Sequence, residues 1–286
     1  MSEPRLKKPA WLKTRVPSGD EFRAIHDLIR AHGLVTVCQE ARCPNINECW
    51  NNKCATLMIL GKICTRACRF CAVKTGDPAG HIDMDEPRRV AELVKEMDLK
   101  YVVITSVDRD DLEDGGSQLY AETISMIKDL KKDIKVEALI PDFQDRINDI
   151  ERVVLSTPFI LGHNVETVEN LTPVIRDRRS NYQQSLNLLA SVKEIKPDQM
   201  TKSGFMVGMG EGLDEIKSTM RDLVKNRVDI ITIGQYLQPT RKHYPVKKYY
   251  SPEEFEIFEK IGYDMGFKKV VSGPLVRSSY HASSVI

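Results

Sequence analysis

The sequence lacks any apolar run that approaches the roughly 18 residues of a membrane span. It also lacks the apolar core of a signal peptide, because its start, MSEPRLKKPAWLKTRVPSGDE, is polar and interrupted by proline. Charge of one sign is not in excess, since 42 Lys and Arg stand against 41 Asp and Glu. Such a near-neutral balance does not predict a surface that binds nucleic acid. These absences argue against a membrane protein, a secreted protein and a nucleic-acid-binding protein.

Cysteine is absent after residue 71, and all seven cysteines lie between Cys38 and Cys71. Clustered thiols in odd number, without a secretion signal, predict reduced metal ligands rather than disulfides, and therefore a cytoplasmic protein. Their spacing divides them into two main groups, Cys38-x4-Cys43-x5-Cys49 and Cys64-x3-Cys68-x2-Cys71. Because the two spacings differ, we expect two metal sites.

The second group, within CTRACRFC, places three thiolates on one short loop with no fourth cysteine in reach. A closed zinc site takes four protein ligands, whereas three thiolates fit a 4Fe-4S cluster that keeps one iron open. A zinc knuckle or buried free cysteines remain the alternatives for this loop. The first group contains Cys43-Pro44, a pair found in ferredoxin cluster loops, so a simple electron-transfer cluster remains its alternative.

Strands and helices alternate after the first cysteine group. With 286 residues and 41% hydrophobic content, the chain can bury one large core. Runs rich in β-branched residues are typical of strands buried on both faces. They are ATLMIL (55–60), YVVITS (101–106), IKVEALI (134–140), PFILGHN (158–164), SGFMVGM (203–209) and DIITIGQ (229–235). Apolar residues at helical spacing lie between them, so the pattern predicts an α/β protein with a partial (β/α)6 TIM-like barrel.

CTRACRFC, following the first strand of such an array, resembles the signature of the radical S-adenosylmethionine superfamily. CQEARCPNINEC precedes it, and RSSYHA follows at residues 277–282. With these additions the chain resembles the lipoyl synthases over essentially its whole length. Other sulfur-inserting radical enzymes, such as biotin synthases and transfer-RNA methylthiotransferases, share the loop and remain one alternative. An iron–sulfur electron-transfer protein is the alternative from another class.

The resemblance implies an enzyme that inserts two sulfur atoms into the octanoyl chain of octanoyl-lysine on a lipoyl carrier domain. It implies two 4Fe-4S clusters and S-adenosylmethionine, which binds at the open iron and yields a radical. Radical chemistry is needed because a general base cannot remove hydrogen from unactivated carbon. The expected partners are the glycine-cleavage H protein, the acyltransferase subunits of 2-oxoacid dehydrogenases, and a low-potential electron donor such as flavodoxin or ferredoxin.

The resemblance also implies a set of cluster ligands. The radical cluster corresponds to Cys64, Cys68 and Cys71, and the auxiliary cluster, which is consumed as the sulfur source, to Cys38, Cys43, Cys49 and Ser279. An oxygen ligand such as Ser279 is a harder donor than a thiolate, which suits a cluster that must release iron. Cys54 departs from the family pattern and is predicted to be a spare thiol.

Polar residues near the predicted strand ends are candidates for contacts with S-adenosylmethionine or substrate. We single out Gly115, Gly116, Asn164, Glu166 and Glu137 for the cofactor, with Asp108, Arg109, Asp110, Lys202 and Gln238 as further candidates. For each polar side chain a helix cap or surface salt bridge is the alternative, because strand ends are rich in polar groups. The run RDRRS (176–180) is expected to be a solvated face, or else to meet an acidic carrier surface.

The sequence divides into three predicted parts. Residues 1–54 form an arm and the auxiliary cluster region, residues 55–270 the radical barrel, and residues 271–286 a segment that closes on the auxiliary cluster. No further domain is expected after that segment.

Overall fold

A computed structural model of the chain describes residues 6–14, 16–52 and 55–280. Cys54, His281 and Ala282 lie outside the described residues. The strands are β1 (Val35–Thr36), β2 (Thr56–Ile59), β3 (Ile63–Cys64), β4 (Lys74–Thr75), β5 (Tyr101–Ser106), β6 (Lys135–Leu139), β7 (Ile160–Gly162), β8 (Met200–Val207), β9 (Ile230–Gln235) and β10 (Lys269–Gly273). The helices are α1 (Asp20–Ala31), α2 (Val37–Glu40), α3 (Ile46–Asn51), α4 (Glu86–Glu96), α5 (Ser117–Leu130), α6 (Ile147–Leu155), α7 (Thr172–Ile175), α8 (Tyr182–Ile195), α9 (Leu213–Lys225) and α10 (Pro252–Met265).

The main sheet has eight strands in the order β1-β2-β5-β6-β7-β8-β9-β10. The six predicted strands are present as β2 and β5 to β9, and each pairs in parallel with its neighbour along the chain. Two further strands extend the sheet: β10 pairs in parallel with β9, and β1 pairs antiparallel with β2. In the described chain β1 and β10 do not pair with each other, so the sheet is an open, partial barrel, as predicted.

The strands are buried on both faces because helices cover the outside of the sheet. Every residue of β2 and of β9 is buried, which explains why their sequences are almost continuously apolar. Helix α10 shows how the sequence sets these boundaries. Ser251 caps its first turn in a capping box with Glu254, Pro252 follows the cap, and Gly266 ends the helix at φ 104°.

A small parallel pair, β3 with β4, lies beside the main sheet and carries the second cysteine group. Cys64 ends β3, and the chain returns as β4 at Lys74, so both ends of the cysteine loop are fixed by backbone hydrogen bonds. In the first cysteine group, Cys38 lies on α2, Cys49 on α3 and Cys43 in the loop between them. Phe22 of α1 stacks on Trp50 of α3 with ring centroids 4.9 Å apart. Among the described residues, every helix is too short or too polar to cross a bilayer.

Candidate active site

The two cysteine groups face one cavity of about 620 Å³, which extends from the carboxyl ends of the strands into the barrel. Its lining includes thiols of both groups and two serine hydroxyls from the tail: Cys38, Cys43, Cys64, Cys68, Cys71, Ser278 and Ser279. Cys49 is half-buried on α3 and is not part of the lining described for this cavity. The fold therefore gathers residues that are more than 200 positions apart in the sequence around one space.

Peptide N–H groups point at the sulfurs of the second group. The N–H groups of Arg66 and Asp108 each lie 3.4 Å from Cys64 Sγ, and the N–H of Asp177 lies 3.3 Å from Cys68 Sγ. Hydrogen bonds of this kind stabilise thiolates and tune the reduction potential of iron–sulfur clusters. The loop is therefore built to hold sulfur in its anionic form.

The thiols themselves are poorly placed to ionise without a cation. Burial raises the pKa of Cys64 to about 11, with Asp108 adding to the effect, and it raises the pKa of Cys68 and Cys71 to about 12. A bound metal supplies the positive charge that a buried thiolate needs. Three such thiols with peptide donors fit an iron–sulfur cluster.

No three His, Cys, Asp or Glu side chains of the described residues stand close enough to ligate a single ion. A 4Fe-4S cluster has different geometric needs, because its thiolates bind separate iron atoms and stand further apart. The thiols of the cysteine loop are therefore compatible with a cluster.

Arg66, between the first two cysteines of the loop, fastens the loop to the sheet. Its guanidinium donates to Asp142 at 2.5 and 2.6 Å and to Asp110 at 2.8 and 2.9 Å. Burial alone would raise the pKa of Asp142, yet hydrogen bonds from Arg66 hold it below its usual range. Asp110, a candidate for a cofactor contact, is thus part of the loop's support.

The run at 176–180 is not the solvated face predicted from its charges. Arg176, Asp177 and Ser180 are buried, and Arg178 and Arg179 are exposed. Asp177 accepts from the N–H of Ala67 at 2.8 Å, and Arg179 donates to the carbonyl of Thr65. These contacts satisfy the charges within the protein, so most of the run forms a wall of the cysteine loop.

The first group is held by short-range and long-range contacts. Thr36 caps α2, which carries Cys38, by accepting from the N–H of Gln39 at 3.3 Å. The N–H of Cys43 donates to the carbonyl of Cys38 at 3.0 Å. Burial raises the pKa of Cys43, while the Asn45 peptide and the guanidinium of Arg277 oppose that effect.

The tail after β10 docks against the first group and the sheet. Asn45 donates to the carbonyl of Leu275 at 2.6 Å, and the hydroxyl of Tyr280 lies 3.1 Å from Glu48 on α3. The hydroxyl of Thr56 on β2 donates to Ser279 Oγ at 2.7 Å. Because β2 and β10 lie near opposite ends of the sheet, the tail bridges the opening of the barrel.

Several predicted contact residues reach the cavity. Asn164, Glu166, Asp108 and Gln238 all line it. Glu166 has a left-handed backbone, with φ 67°, which is an uncommon and strained conformation for a residue other than glycine. Burial raises its pKa, and Arg176 opposes the shift. The polar ends of β7 and β5 therefore line the same cavity as the cysteine loop.

Glu137 and Lys202 take a different role. They form a fully buried ion pair, with Lys202 Nζ 2.8 Å from Glu137 Oε1, and Tyr101 also donates to Glu137. Neither residue belongs to the lining described for the cavity. The structure therefore gives Glu137 a partner inside the protein and does not bring it to the predicted cofactor site.

Gly115 and Gly116 also lie off the described lining, at the start of α5. Both have positive φ, 60° and 86°, and a Cβ on Gly116 would stand 2.3 Å from Leu60 Cδ1. Backbone conformation and close packing explain these glycines without a cofactor. Arg109 is buried too, donating to the carbonyls of Leu60 and His81 at 3.2 and 2.9 Å.

Sequence reasoning missed three residues of the site. Thr56 and Arg277 line the cavity, and His243 lies 2.9 Å from the carbonyl of Cys71. Arg277 stood within the RSSYHA motif and could have been singled out for its charge. Thr56 and His243 gave no signal, because an isolated threonine in a strand and a histidine in a loop are ordinary there.

Comparison with known proteins places this site in a family. Residues 58–223 match the model of the radical SAM superfamily, and residues 1–43 match that of the N-terminal domain of lipoyl synthase. The first match covers the cysteine loop and strands β5 to β8. The second covers Cys38 and Cys43.

Relatives that are named lipoyl synthase match nearly the whole chain. The lipoyl synthase of Thermus thermophilus is 52% identical over 97% of this chain and 86% of its own length. Those of Francisella tularensis subsp. novicida and Halorhodospira halophila are each 50% identical, over 98% and 99% of this chain and 86% and 84% of their own lengths.

Solved structures support the fold alone. A crystal structure of methylornithine synthase has a TM-score of 0.57 at 12% identity, covering 91% of this chain and 83% of its own. The hydrogenase maturase HydG from Carboxydothermus hydrogenoformans has a TM-score of 0.58 at 14% identity, covering 80% and 64%. The sequence relatives and the two family models establish that the chain belongs to the lipoyl synthase family of the radical SAM superfamily.

Proposed function

We propose that the 620 Å³ cavity is the active site of this lipoyl synthase and that its two cysteine groups hold two 4Fe-4S clusters. The ligands are Cys64, Cys68 and Cys71 for the radical cluster, and Cys38, Cys43, Cys49 and Ser279 for the auxiliary cluster. The observation that carries the proposal is that thiols of both groups and Ser279 line one cavity. A substrate chain between them would be open to both sites.

When bound, the radical cluster and S-adenosylmethionine supply a carbon-centred radical, and the auxiliary cluster supplies sulfur. The protein orients the reactants and excludes water. Met58, Leu139 and Phe205 give the cavity an apolar wall suited to an octanoyl chain. Asn164 and Glu166 stand on the polar side, where they can accept or donate hydrogen bonds to the ribose or the amino-acid part of the cofactor.

The three predicted parts of the chain have separate roles in this proposal. Residues 1–54 and 271–286 build the auxiliary site, and residues 55–270 build the barrel and the radical site. The boundary at 270 falls inside β10, whose five residues continue the barrel sheet to Gly273. The docking of Tyr280 on Glu48 supports the assignment of the tail to the auxiliary site.

The substrates are octanoylated lipoyl carriers, and the lysine arm of the carrier must enter the cavity from solvent. We propose that the glycine-cleavage H protein and the acyltransferase subunits of 2-oxoacid dehydrogenases serve as carriers, and that a flavodoxin or ferredoxin supplies electrons. Arg178 remains exposed beside the cysteine loop, so it is available to meet an acidic carrier.

Single cysteine variants test the assignment of the two clusters. Cys68→Ala should abolish reductive cleavage of S-adenosylmethionine, because the cofactor loses its site of electron delivery. Cys43→Ala should retain some cleavage, while lipoyl product on an octanoyl-lysine peptide is lost. Iron and sulfide analysis of each variant after anaerobic reconstitution should show one cluster remaining. Mass spectrometry of the peptide measures the product.

Cys54→Ala serves as the matched control. It should retain both clusters and both activities, since the ligand set is complete without it. Lipoyl product from Cys43→Ala would contradict the role of the first group as sulfur source. Loss of the auxiliary cluster in Cys54→Ala would instead move that site to the register Cys43-x5-Cys49-x4-Cys54.

A further inference from the structure

Thr56 and Ser279 meet across the opening of the barrel. Thr56 is 4% exposed, lines the cavity and donates its hydroxyl hydrogen to Ser279 Oγ at 2.7 Å. The two residues are separated by 223 positions in the sequence. This hydrogen bond fixes the side chain of Ser279 to the sheet.

We propose that Thr56 is a positioning residue that holds the oxygen of Ser279 at the auxiliary cluster. The proposal rests on the function proposed above, in which Ser279 is the fourth ligand. It adds a residue outside both cysteine groups and outside the tail. Thr56 acts through Ser279 and has no role as a ligand of its own.

A second hydroxyl at hydrogen-bond distance suits a ligand oxygen. A serine that binds iron loses its hydroxyl proton, so its oxygen can only accept hydrogen bonds. Thr56 keeps its own proton and can therefore donate to Ser279 in both the free and the metal-bound form. A hydrogen bond to a charged oxygen is also stronger than one to a neutral hydroxyl.

The two partners differ in how firmly the backbone holds them. Thr56 begins β2, a fully buried strand that pairs with β5 and places Thr56 opposite Val103. Ser279 lies on a turn six residues beyond the end of β10 at Gly273. Thr56 on the rigid strand can therefore hold the side chain of Ser279, because a side chain on a turn needs such a support to keep its geometry.

Neighbouring contacts of the tail do not replace this one. Ser278 Oγ accepts from Asn164 at 2.7 Å, and Tyr280 contacts Glu48, so each of the three residues has its own partner. Those contacts fix the tail backbone on either side of Ser279. The rotation of the Ser279 side chain is set by Thr56.

Thr56→Val removes the hydroxyl and keeps the branched shape, whereas Thr56→Ser keeps the hydroxyl. The variants are made in a chain whose Cys64, Cys68 and Cys71 are alanine, so that all bound iron reports on the auxiliary cluster. After anaerobic reconstitution, the measured quantity is the rate at which a ferrous chelator removes the first iron. The three-iron cluster that remains when ferrous iron leaves has an integer spin, so parallel-mode electron paramagnetic resonance identifies the product.

We expect Thr56→Val to lose the first iron at least about tenfold faster than its parent, the effect of losing one hydrogen bond to a charged group. Thr56→Ser should behave like the parent. Thr232→Val is the matched control, because Thr232 also lies on a strand and lines the cavity, but its hydroxyl reaches the carbonyl of Ser203 at 3.5 Å. It should also behave like the parent.

Ser279→Cys separates positioning from misfolding. A thiolate binds cluster iron more firmly than an alkoxide, so Ser279→Cys with Thr56→Val should retain its iron as well as Ser279→Cys alone. If the double variant loses iron rapidly, Thr56 supports the fold and the inference fails.

Two results with single variants separate the positioning role of Thr56 from the ligand role of Ser279. If Ser279→Ala loses iron rapidly and Thr56→Val does not, Ser279 is a ligand that needs no help from Thr56, and this inference alone is wrong. If Ser279→Ala keeps its iron as the parent does, the ligand assignment in the proposed function is wrong, and the inference is wrong with it.

Discussion

Replacement of Arg66 by methionine tests the ion pairs that fasten the cysteine loop. Methionine keeps much of the apolar volume of the arginine stem and removes the guanidinium. Arg66 is 4% exposed and Asp142 is 1% exposed, so the carboxylate would lose its counter-charge in a place that water does not reach. An unpaired charge in such surroundings strongly destabilises the folded state.

The size of the effect follows from the burial of the pair. Removing one partner of a buried ion pair costs about 3–5 kcal/mol. Unfolding entropy near the melting temperature is about 2.1 cal/mol/K per residue, or about 0.6 kcal/mol/K for 286 residues. The melting temperature should therefore fall by about 5–8 °C in Arg66→Met.

Calorimetry of the metal-free protein under reducing conditions measures this shift. Arg88→Met is the control, because Arg88 pairs with Asp85 and Glu92 on the exposed surface of α4, and it should melt close to the parent. Adding Asp142→Asn to Arg66→Met should restore part of the loss, since the second change removes the uncompensated charge. A melting temperature within about 1 °C of the parent for Arg66→Met would refute the reasoning.

Two other predictions concern stability. Burial, with Arg176 nearby, lowers the pKa of His163 from 6.5 to about 4. The neutral side chain of His163 therefore contributes fully to the free energy of unfolding above pH 6.5, and this contribution is lost as the pH falls toward 4. When the pH is lowered from 7.5 to 5, the free energy of unfolding measured with urea should fall by about 2 kcal/mol more for the parent than for His163→Gln. Equal falls would disprove the role of His163. Gly116→Ala should lower the melting temperature, because the added Cβ would clash with the Leu60 side chain. Leu60→Ala removes that clash, so it should lower the melting temperature less in the Gly116→Ala variant than in the parent. Normal stability with lost binding of S-adenosylmethionine would return Gly116 to the cofactor site.

The strands that the sequence predicts are those with long apolar runs. IKVEALI and DIITIGQ became β6 and β9 within one residue of each predicted end. In the main sheet, the two strands that were not predicted are β1, with two residues, and β10, whose sequence KVVSG mixes buried and half-buried positions. Short strands like these form because neighbouring strands offer unpaired edges, and a sequence pattern does not contain that information.

In the candidate site, too, the sequence pattern does not contain the contacts between distant residues that decide the role of a side chain. The cysteines could be proposed as ligands from the sequence because their spacing within a short loop is a local signal. The role of Glu137 could not be predicted in this way, because its ion-pair partner Lys202 lies 65 positions away. That partner holds the carboxylate inside the protein and away from the cavity. Asp177 likewise looked solvated, although its carboxylate accepts from Ala67, which is 110 positions away. Long-range pairing decides which strand-end charges face a ligand and which serve the fold.

The bridge formed by the tail has a consequence for the order of assembly. The proposed ligands Cys64, Cys68 and Cys71 lie within one loop, and contacts that support this local site, such as Arg66 with Asp142 and Asp177 with Ala67, span 76 and 110 positions. The auxiliary site needs contacts such as Asn45 with Leu275, which close a loop of 230 positions and carry a corresponding entropic cost. If Cys49 and Ser279 are both ligands, as proposed above, the ribosome must add Ser279 more than 200 residues after Cys49 before the second ligand set is complete. The local site can therefore mature first, and the long-range site is the last part of the enzyme to become competent.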